Sequence, residues 1–283
     1  NVLLAVRLIT GRWPAAVSAA ALVMVANTFW RMSTVPETYT IVAALLTGQV
    51  VCLIAWTRRP WGGWCVALGL ANGLSLANHN LALLSAVVWV GLAIAALRAR
   101  RVTWSTLGLT VGAWVIGSLP FTGLVVQQAV ASGDVMGTIR SALFGEHYGG
   151  AVMGATLPIT RAAISGAFTL LSFPNLGLPL AAIGLIAGWR RIDPWVRWPL
   201  AAVCAIHLVF VLRYNVVDQH TFLVPVYALG AIWMGVGVAA VQRWPAGRWR
   251  SVTLIVAALS VLATPAIYPL ATAAAREARV LRA

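Results

Sequence analysis

Residues 222–241 read FLVPVYALGAIWMGVGVAAV, twenty positions without a charged side chain. At about 1.5 Å per residue, an α-helix of this length crosses the roughly 30 Å hydrocarbon layer of a bilayer. Four more long apolar runs occur, at Ala15–Phe29, Thr38–Trp56, Asn80–Leu97 and Ser105–Phe121. The 283 residues are 61% hydrophobic and only 9% charged. The sequence therefore predicts an integral membrane protein and excludes a water-soluble fold.

These runs predict an all-α fold, a polytopic bundle of transmembrane helices in a single domain over residues 1–283. Nine spans are expected near residues 14–30, 36–57, 62–78, 80–97, 103–121, 161–189, 196–212, 221–241 and 251–270. A partial helix over residues 2–9 precedes them. Because the chain begins at Asn1 with what reads as the end of a helix, we expect further helices and a first outer loop upstream.

One predicted span, 161–189, is interrupted by Ser172-Phe173-Pro174-Asn175. Proline removes a backbone donor and disturbs a helix, so a broken helix is expected here. Two interpretations fit: a kink within a packed helix, or a functional break that lines a cavity.

Arginine is distributed unevenly between the predicted loops. All twenty basic residues are arginine, and placing Arg58 and Arg59 in the cytoplasm sends thirteen of the twenty to the inner side. This agrees with the positive-inside rule. Five of the six acidic residues then lie outside, Asp193 being the exception. We therefore expect a multi-pass protein of the cell membrane whose polar working face is extracytoplasmic.

The composition also argues against other functions. The formal net charge of +14 does not indicate nucleic-acid binding, because the arginines form short clusters between apolar spans. Cys52, Cys65 and Cys204 lie far apart without metal-ligand spacing, so no metal site is expected. Nucleotide-binding, dinucleotide-binding and zinc-protease motifs are absent from the sequence, and no cofactor is expected.

Two outer segments are longer than a turn. Residues 122–160 are expected to form an extracytoplasmic loop, in which the apolar side chains of Val135–Phe144 fit an amphipathic helix resting on the membrane surface. Residues 271–283 are expected to begin an outer tail. Long loops often carry functional residues.

Polar side chains gather at three predicted outer helix ends. Glu37 opens an apolar span, where a carboxylate facing hydrocarbon costs about 2.5–3.5 kcal/mol; it either faces a cavity or acts as a helix N-terminal charge. In Asn78-His79-Asn80 the asparagines suit a tight turn, and His79 is a candidate site residue. Residues 213–220, RYNVVDQH, form the densest polar segment. Its Arg213 can hold a phosphate and its Asp218 can orient a hydroxyl.

We expect Glu37, His79 and Asp218 to be catalytic and to converge on one outer cavity. Further candidate substrate-binding residues at these helix ends are Arg31, Asn78, Arg213 and His220. Membrane lipids are expected partners.

Three segments, in chain order, resemble a known family. They are NTFWR at 27–31 leading to PETY at 36–39, GLANGLSLANHN at 69–80, and RYNVVDQHTFLVPVY at 213–227. They are similar to the domain of unknown function 2723 family, which includes transmembrane protein O-mannosyltransferases of the GT-C type. The resemblance covers most of the chain.

This resemblance implies a GT-C-like glycosyltransferase. Such an enzyme transfers a sugar such as mannose from a polyprenyl-phosphate donor to an extracytoplasmic acceptor, for example a protein hydroxyl or a glycan. The residues that match the family's motifs are Glu37, Tyr39, His79, Tyr214, Asn215 and Asp218. By the same resemblance the acidic motif of the first outer loop would precede Asn1, so that this chain would supply mainly the substrate-binding part.

Two alternatives remain open at this stage. A polytopic transporter would suit the interrupted span 161–189, although transporters often show inverted repeats and charged groups near the midplane. A non-catalytic membrane scaffold would keep the bundle without the chemistry.

Overall fold

The computed structural model describes residues 1–145, 159–214, 216, 218–244 and 247–277. Within these ranges every regular element is a helix, which confirms the predicted fold class. The α-helices are α1 Val2–Thr10, α2 Trp13–Met24, α3 Asn27–Ser33, α4 Tyr39–Arg58, α5 Gly62–Asn78, α6 Ala82–Arg98, α7 Trp104–Ser132, α8 Val135–Phe144, α9 Ile159–Ser172, α10 Gly177–Ala187, α11 Pro194–Arg213, α12 Leu223–Val241 and α13 Gly247–Glu277. Two 3₁₀ turns lie at Trp189–Arg191 and Gln219–Phe222.

Five of the described helices are long and apolar enough to cross a membrane, or up to seven spans if each of two bent pairs counts as one. The nine spans expected from the sequence include two more, α5 and α6. Each of these has 17 residues, which gives a length of about 25 Å at 1.5 Å per residue. That is near the lower limit of about 17 residues for a transmembrane helix, and the expected count of nine spans is not confirmed.

Two of the predicted spans are bent. The pair α9 and α10 meets at 105°, which confirms the break expected at Pro174. The pair α2 and α3 meets at 73°, whereas the sequence indicated one continuous span over residues 14–30. No proline marks the second break. Helix α2 ends at Met24, and Ala26 caps α3 in an extended conformation.

Helix α12 lies at the centre of the bundle, since 89% of its apolar, membrane-length stretch is buried. Glycines allow its neighbours to approach closely. A Cβ added at Gly184 of α10 would meet the Trp233 carbonyl, and one added at Gly237 of α12 would meet the Leu180 carbonyl. Small residues at such contacts are typical of helix packing in membranes.

A second glycine contact joins α5 to α7. A Cβ added at Gly117 would lie 2.7 Å from the Leu70 carbonyl oxygen, and one at Gly73 would meet the Trp114 carbonyl. The segment GLANG therefore serves helix packing through Gly69 and Gly73. Helices α7 and α13 lie at the periphery, since only 11% of the apolar stretch of each is buried. Their apolar side chains form much of the surface of the bundle.

The arginine-rich connections gather at one end of the bundle. Arg12 Nη1 donates to Gln242 Oε1 at 3.3 Å, and the Arg101 guanidinium lies 4.6 Å from the Trp195 ring. Burial, and then the charges of Arg191 and Arg12, lower the pKa of Arg243. The segments around Glu37, His79 and Asp218 lie together at the opposite end, so the two groups of loops are separated in space as expected.

Within the described residues, part of the outer loop predicted over residues 122–160 is helical. Helix α7 continues past Pro120 to Ser132. Val135–Phe144 is helical as predicted, with Asp134 Oδ1 accepting from the Gly137 amide. Its apolar Val135 and Met136 are 57% and 74% exposed, which suits a helix on a membrane surface. At the other end of the chain, α13 runs into the predicted tail as far as Glu277.

Candidate functional site

Tyr39, the first residue of α4, is the centre of a polar and aromatic group that we name the Tyr39 cluster. Its members are Glu37, Tyr39, His79, Asp218, Thr221 and Phe222. The Tyr39 ring is 7% exposed, and its hydroxyl interacts with the Thr221 side chain and with the charges of Asp218 and Glu37. Three segments far apart in sequence therefore meet here.

Phe222 packs this cluster together at the start of α12. Its ring centroid lies 4.9 Å from Tyr39, 4.8 Å from Tyr214 and 5.9 Å from His79. Tyr214 also stacks on Phe210 at 5.0 Å. Aromatic contacts at these distances are stabilising. Phe222 therefore packs the start of α4 against the ends of α5 and α11. The sequence did not identify Phe222, because it reads as one more apolar residue of a span.

His79 caps the end of α5 and is half-buried against Tyr39, with the ring centroids 5.5 Å apart. The Leu81 amide donates to His79 Nδ1 at 3.1 Å. A nitrogen that accepts from an amide carries no proton, so the neutral ring bears its hydrogen on Nε2. Burial lowers the pKa of His79. His79 is therefore arranged as a hydrogen-bond donor through Nε2, which argues against a role as general base.

The two asparagines beside His79 form structural hydrogen bonds. Asn78 Nδ2 donates to the Thr38 carbonyl at 3.1 Å, which ties the end of α5 to the start of α4. Asn80 Nδ2 donates to the Ala142 carbonyl at 2.7 Å, which ties the turn to α8. The turn role considered for these residues fits the structure, and at least one amide hydrogen of Asn78 is already used.

The carboxylates of Glu37 and Asp218 belong to exposed residues. Glu37 lies before the Thr38 cap and outside the first turn of α4, so a charge within that first turn does not explain it. Asp218 precedes the 3₁₀ turn Gln219–Phe222 and influences both Tyr39 and His220 electrostatically. Asp218 therefore connects the Tyr39 cluster electrostatically to His220.

The predicted basic residues occupy different positions. Arg31, exposed in the last turn of α3, acts electrostatically on His220. Arg213 is the last residue of α11. Asn215 lies outside the described residues, as do Glu146 and His147 of the predicted loop. Among the residues that the structure describes, no group of three His, Cys, Asp or Glu side chains could hold a metal ion.

A cavity of about 310 Å³ lies at this end of the bundle, and Asp218 directly precedes its lining residues Gln219 and His220 in sequence. None of Glu37, His79 and Asp218 is among the described residues that line it, so these three do not share this cavity as expected. Its lining includes Arg161, Ser165 and Phe168 of α9 together with Gln219 and His220. The His220 ring stacks on Phe168 with centroids 4.9 Å apart. The sequence assigned no site role to Arg161 or Phe168, because nothing in the sequence pairs α9 with the turn before α12.

Within the bundle, the middle of the segment 69–80 contributes to a second polar group. Asn72 of α5 donates from Nδ2 to Gln49 Oε1 at 3.1 Å and to Ser85 Oγ at 2.9 Å. Trp89 Nε1 donates to Gln49 Oε1 at 2.7 Å, and Trp114 Nε1 donates to Asn72 Oδ1 at 3.0 Å. This buried network connects α4, α5, α6 and α7 and has a structural role.

The fold and this geometry define a class of protein: an all-helical bundle with apolar, membrane-length helices and a polar cluster at one end. Comparison with protein-family models, with curated proteins and with solved structures finds no match. The resemblance to the domain of unknown function 2723 family therefore stays a prediction that rests on the quoted segments.

Proposed function

We propose that this chain is part of an integral membrane glycosyltransferase of the GT-C type. It would take a sugar, such as mannose, from a polyprenyl-phosphate donor and transfer it to an extracytoplasmic acceptor such as a protein hydroxyl. The arginine-rich end of the bundle would face the cytoplasm, and the Tyr39 cluster would face the outer side of the cell membrane.

One observation carries this proposal: Glu37, His79 and Asp218 come together around Tyr39, at the end opposite the arginine-rich loops. Their grouping supports a shared site, because 181 positions separate residue 37 from residue 218. Exposed carboxylates beside an aromatic wall suit recognition of sugar hydroxyls, since a carboxylate accepts strong hydrogen bonds.

In the proposed reaction Asp218 is the general base. Its carboxylate takes the proton of the acceptor hydroxyl, the acceptor oxygen forms a bond to the anomeric carbon, and the bond from that carbon to the phosphate oxygen breaks. Polyprenyl phosphate leaves with the electron pair. His79 donates a hydrogen bond from Nε2, and Glu37 orients a second hydroxyl.

The intact protein in liposomes tests this proposal with synthetic polyprenyl-phosphate mannose carrying a labelled sugar. Release of the sugar is measured, since release reports transfer or hydrolysis whatever the acceptor is. Loss of a general base lowers rates by about 10²–10⁴-fold, and we expect such a loss for Asp218→Asn. Asp134→Asn is the matched control, because Asp134 caps α8 and asparagine also caps helices.

Equal rates for Asp218→Asn and the unchanged protein would contradict the role of Asp218. Absence of release by the unchanged protein would reject the transferase and favour the scaffold.

A second candidate function, transport, is supported by the two broken helix pairs. Their breaks meet, since Thr28 Oγ1 and Ser172 Oγ are 2.9 Å apart, and transporters often build sites from interrupted helices. A transporter exposes such a site alternately to both faces. Cysteine labelling of Ala26→Cys from both sides of the membrane distinguishes the candidates. Ala26 is buried, so a transporter should expose it to each side in turn, whereas a transferase whose site is the Tyr39 cluster should leave it unlabelled.

A further inference from the structure

The cavity beside Asp218 has a lining that favours an anion. Its described lining residues are Thr160, Arg161, Ile164, Ser165, Phe168, Val216, Gln219 and His220, and they include no carboxylate. Arginine, hydroxyl and amide side chains all supply hydrogen-bond donors. Ile164 and Val216 give the same cavity an apolar side.

Arg161 is held in place at this cavity. Its Nη1 donates to the Val216 carbonyl oxygen at 3.3 Å, across 55 positions of sequence. A guanidinium has five N–H donors in a planar fork, so this bond fixes the group and leaves donors for a ligand. Such a fork matches two oxygens of a phosphate.

His220 is a second polar side chain of the lining. His220 is fixed by its stacking on Phe168 at 4.9 Å, and Arg31 is close enough to act on it electrostatically. Asp218 also acts on His220, so one carboxylate lies just outside the described lining. Burial, and then the charge of Arg31, lower the pKa of His220, so its neutral ring offers a hydrogen bond beside the charged Arg161 guanidinium.

We propose that this cavity binds a phosphate-bearing group, with Arg161 as its principal ligand. This assigns the phosphate to α9 and to the turn before α12, in place of the Arg213 or Arg31 expected from the sequence. The inference does not depend on the proposed transfer reaction, because binding requires neither a sugar nor an acceptor.

Equilibrium binding to the intact protein tests the proposal with two probes, inorganic phosphate and short-chain phosphatidic acid. We expect Arg161→Ala to weaken binding at least tenfold, and Arg161→Lys to weaken it less because a charge remains without the fork. His220→Ala removes a second polar side chain of the lining and should also weaken binding. Arg140→Ala is the matched control, since Arg140 lies on α8 outside this cavity.

Thermal unfolding of each variant separates lost binding from lost folding. If inorganic phosphate displaces phosphatidic acid, the phosphate group alone is the ligand; if it does not, the ligand is a lipid headgroup with its chain. Unchanged affinity in folded Arg161→Ala and His220→Ala, or no binding of either probe to the unchanged protein, would overturn the proposal. Phosphate binding without sugar release would leave the cavity assignment intact and reject only the transferase.

Discussion

The hydroxyl groups of Thr28 and Ser172 lie 2.9 Å apart and are buried, although 144 residues separate them. Thr28 follows the break between α2 and α3, and Ser172 ends α9 at the break before α10. Tyr268 of α13 joins the same point, since its hydroxyl lies 2.9 Å from the Val25 carbonyl oxygen and 3.1 Å from that of Ser172. Carbonyls released by the broken helices thereby regain partners, as an apolar surrounding requires.

Tyr268→Phe tests this connection. The substitution removes one hydroxyl and leaves the ring, so two carbonyls lose a partner. We expect a loss of about 1 kcal/mol in the free energy of unfolding, measured as a lower midpoint of thermal unfolding in detergent. Thr272→Val is the control, because the exposed Thr272 hydroxyl donates only within its own helix, to the Tyr268 carbonyl. Equal midpoints for both variants would argue against a bond between the two breaks.

Gly73→Ala should separate α5 from α7. An added Cβ would meet the Trp114 carbonyl and lie 3.0 Å from the Ser118 nitrogen, and backbone atoms cannot move aside easily. Overpacking of this kind costs about 1–3 kcal/mol. Gly112→Ala in α7 is the control, because a Cβ there meets nothing within 4 Å. The control should be neutral or slightly stabilising, since alanine favours a helix over glycine by about 0.5–1 kcal/mol.

A Gly73→Ala protein with an unchanged free energy of unfolding would show that α5 and α7 can shift apart without loss of stability. Thermal unfolding and crosslinking between α5 and α7 would both report such a shift.

Asn72→Ala should destabilise the buried network. The change leaves Trp114 Nε1 without its acceptor and removes the hydrogen bonds to Gln49 and Ser85. Hydrogen bonds between helices of a membrane protein contribute about 0.6 kcal/mol each on average. Because Asn72→Ala removes several of them, we expect a loss of about 1–2 kcal/mol in the free energy of unfolding. Trp114→Phe removes one of these bonds and should cost less. A larger loss in Trp114→Phe than in Asn72→Ala would contradict the central position of Asn72.

His79 should make stability fall in acid. Burial lowers the pKa of His79 in the folded protein, so the unfolded chain binds the extra proton more readily. The contribution of neutral His79 to the free energy of unfolding is therefore complete above the unfolded pKa of about 6.5. It is lost as the pH falls through the lower pKa of the folded protein. Protonation also removes the acceptor that Nδ1 offers to the Leu81 amide.

His79→Asn is the matching variant. An asparagine oxygen can accept from the same amide two residues on, but it does not titrate. Thermal unfolding between pH 8 and pH 5 should thus depend less on pH in His79→Asn than in the unchanged protein. Parallel curves for the two proteins would remove His79 as a source of the acid sensitivity.

The sequence alone determined the fold class, the break at Pro174 and the helix Val135–Phe144, because length, apolarity and amphipathic spacing act locally along the chain. It also separated the arginine-rich loops from the acidic ones, since the positions of charged residues are read directly from the sequence. The break after Met24 was missed because no proline or glycine stands at the break itself.

Tertiary structure decided which polar residues share a site. Glu37, His79 and Asp218 could be selected as polar residues at helix ends, but their proximity to Tyr39 depends on how α4, α5 and α12 pack around Phe222. The same packing brings Arg161 to the Val216 carbonyl and His220 onto Phe168. Contacts between distant segments arise from shape and close packing of whole helices, and local sequence patterns do not encode these directly.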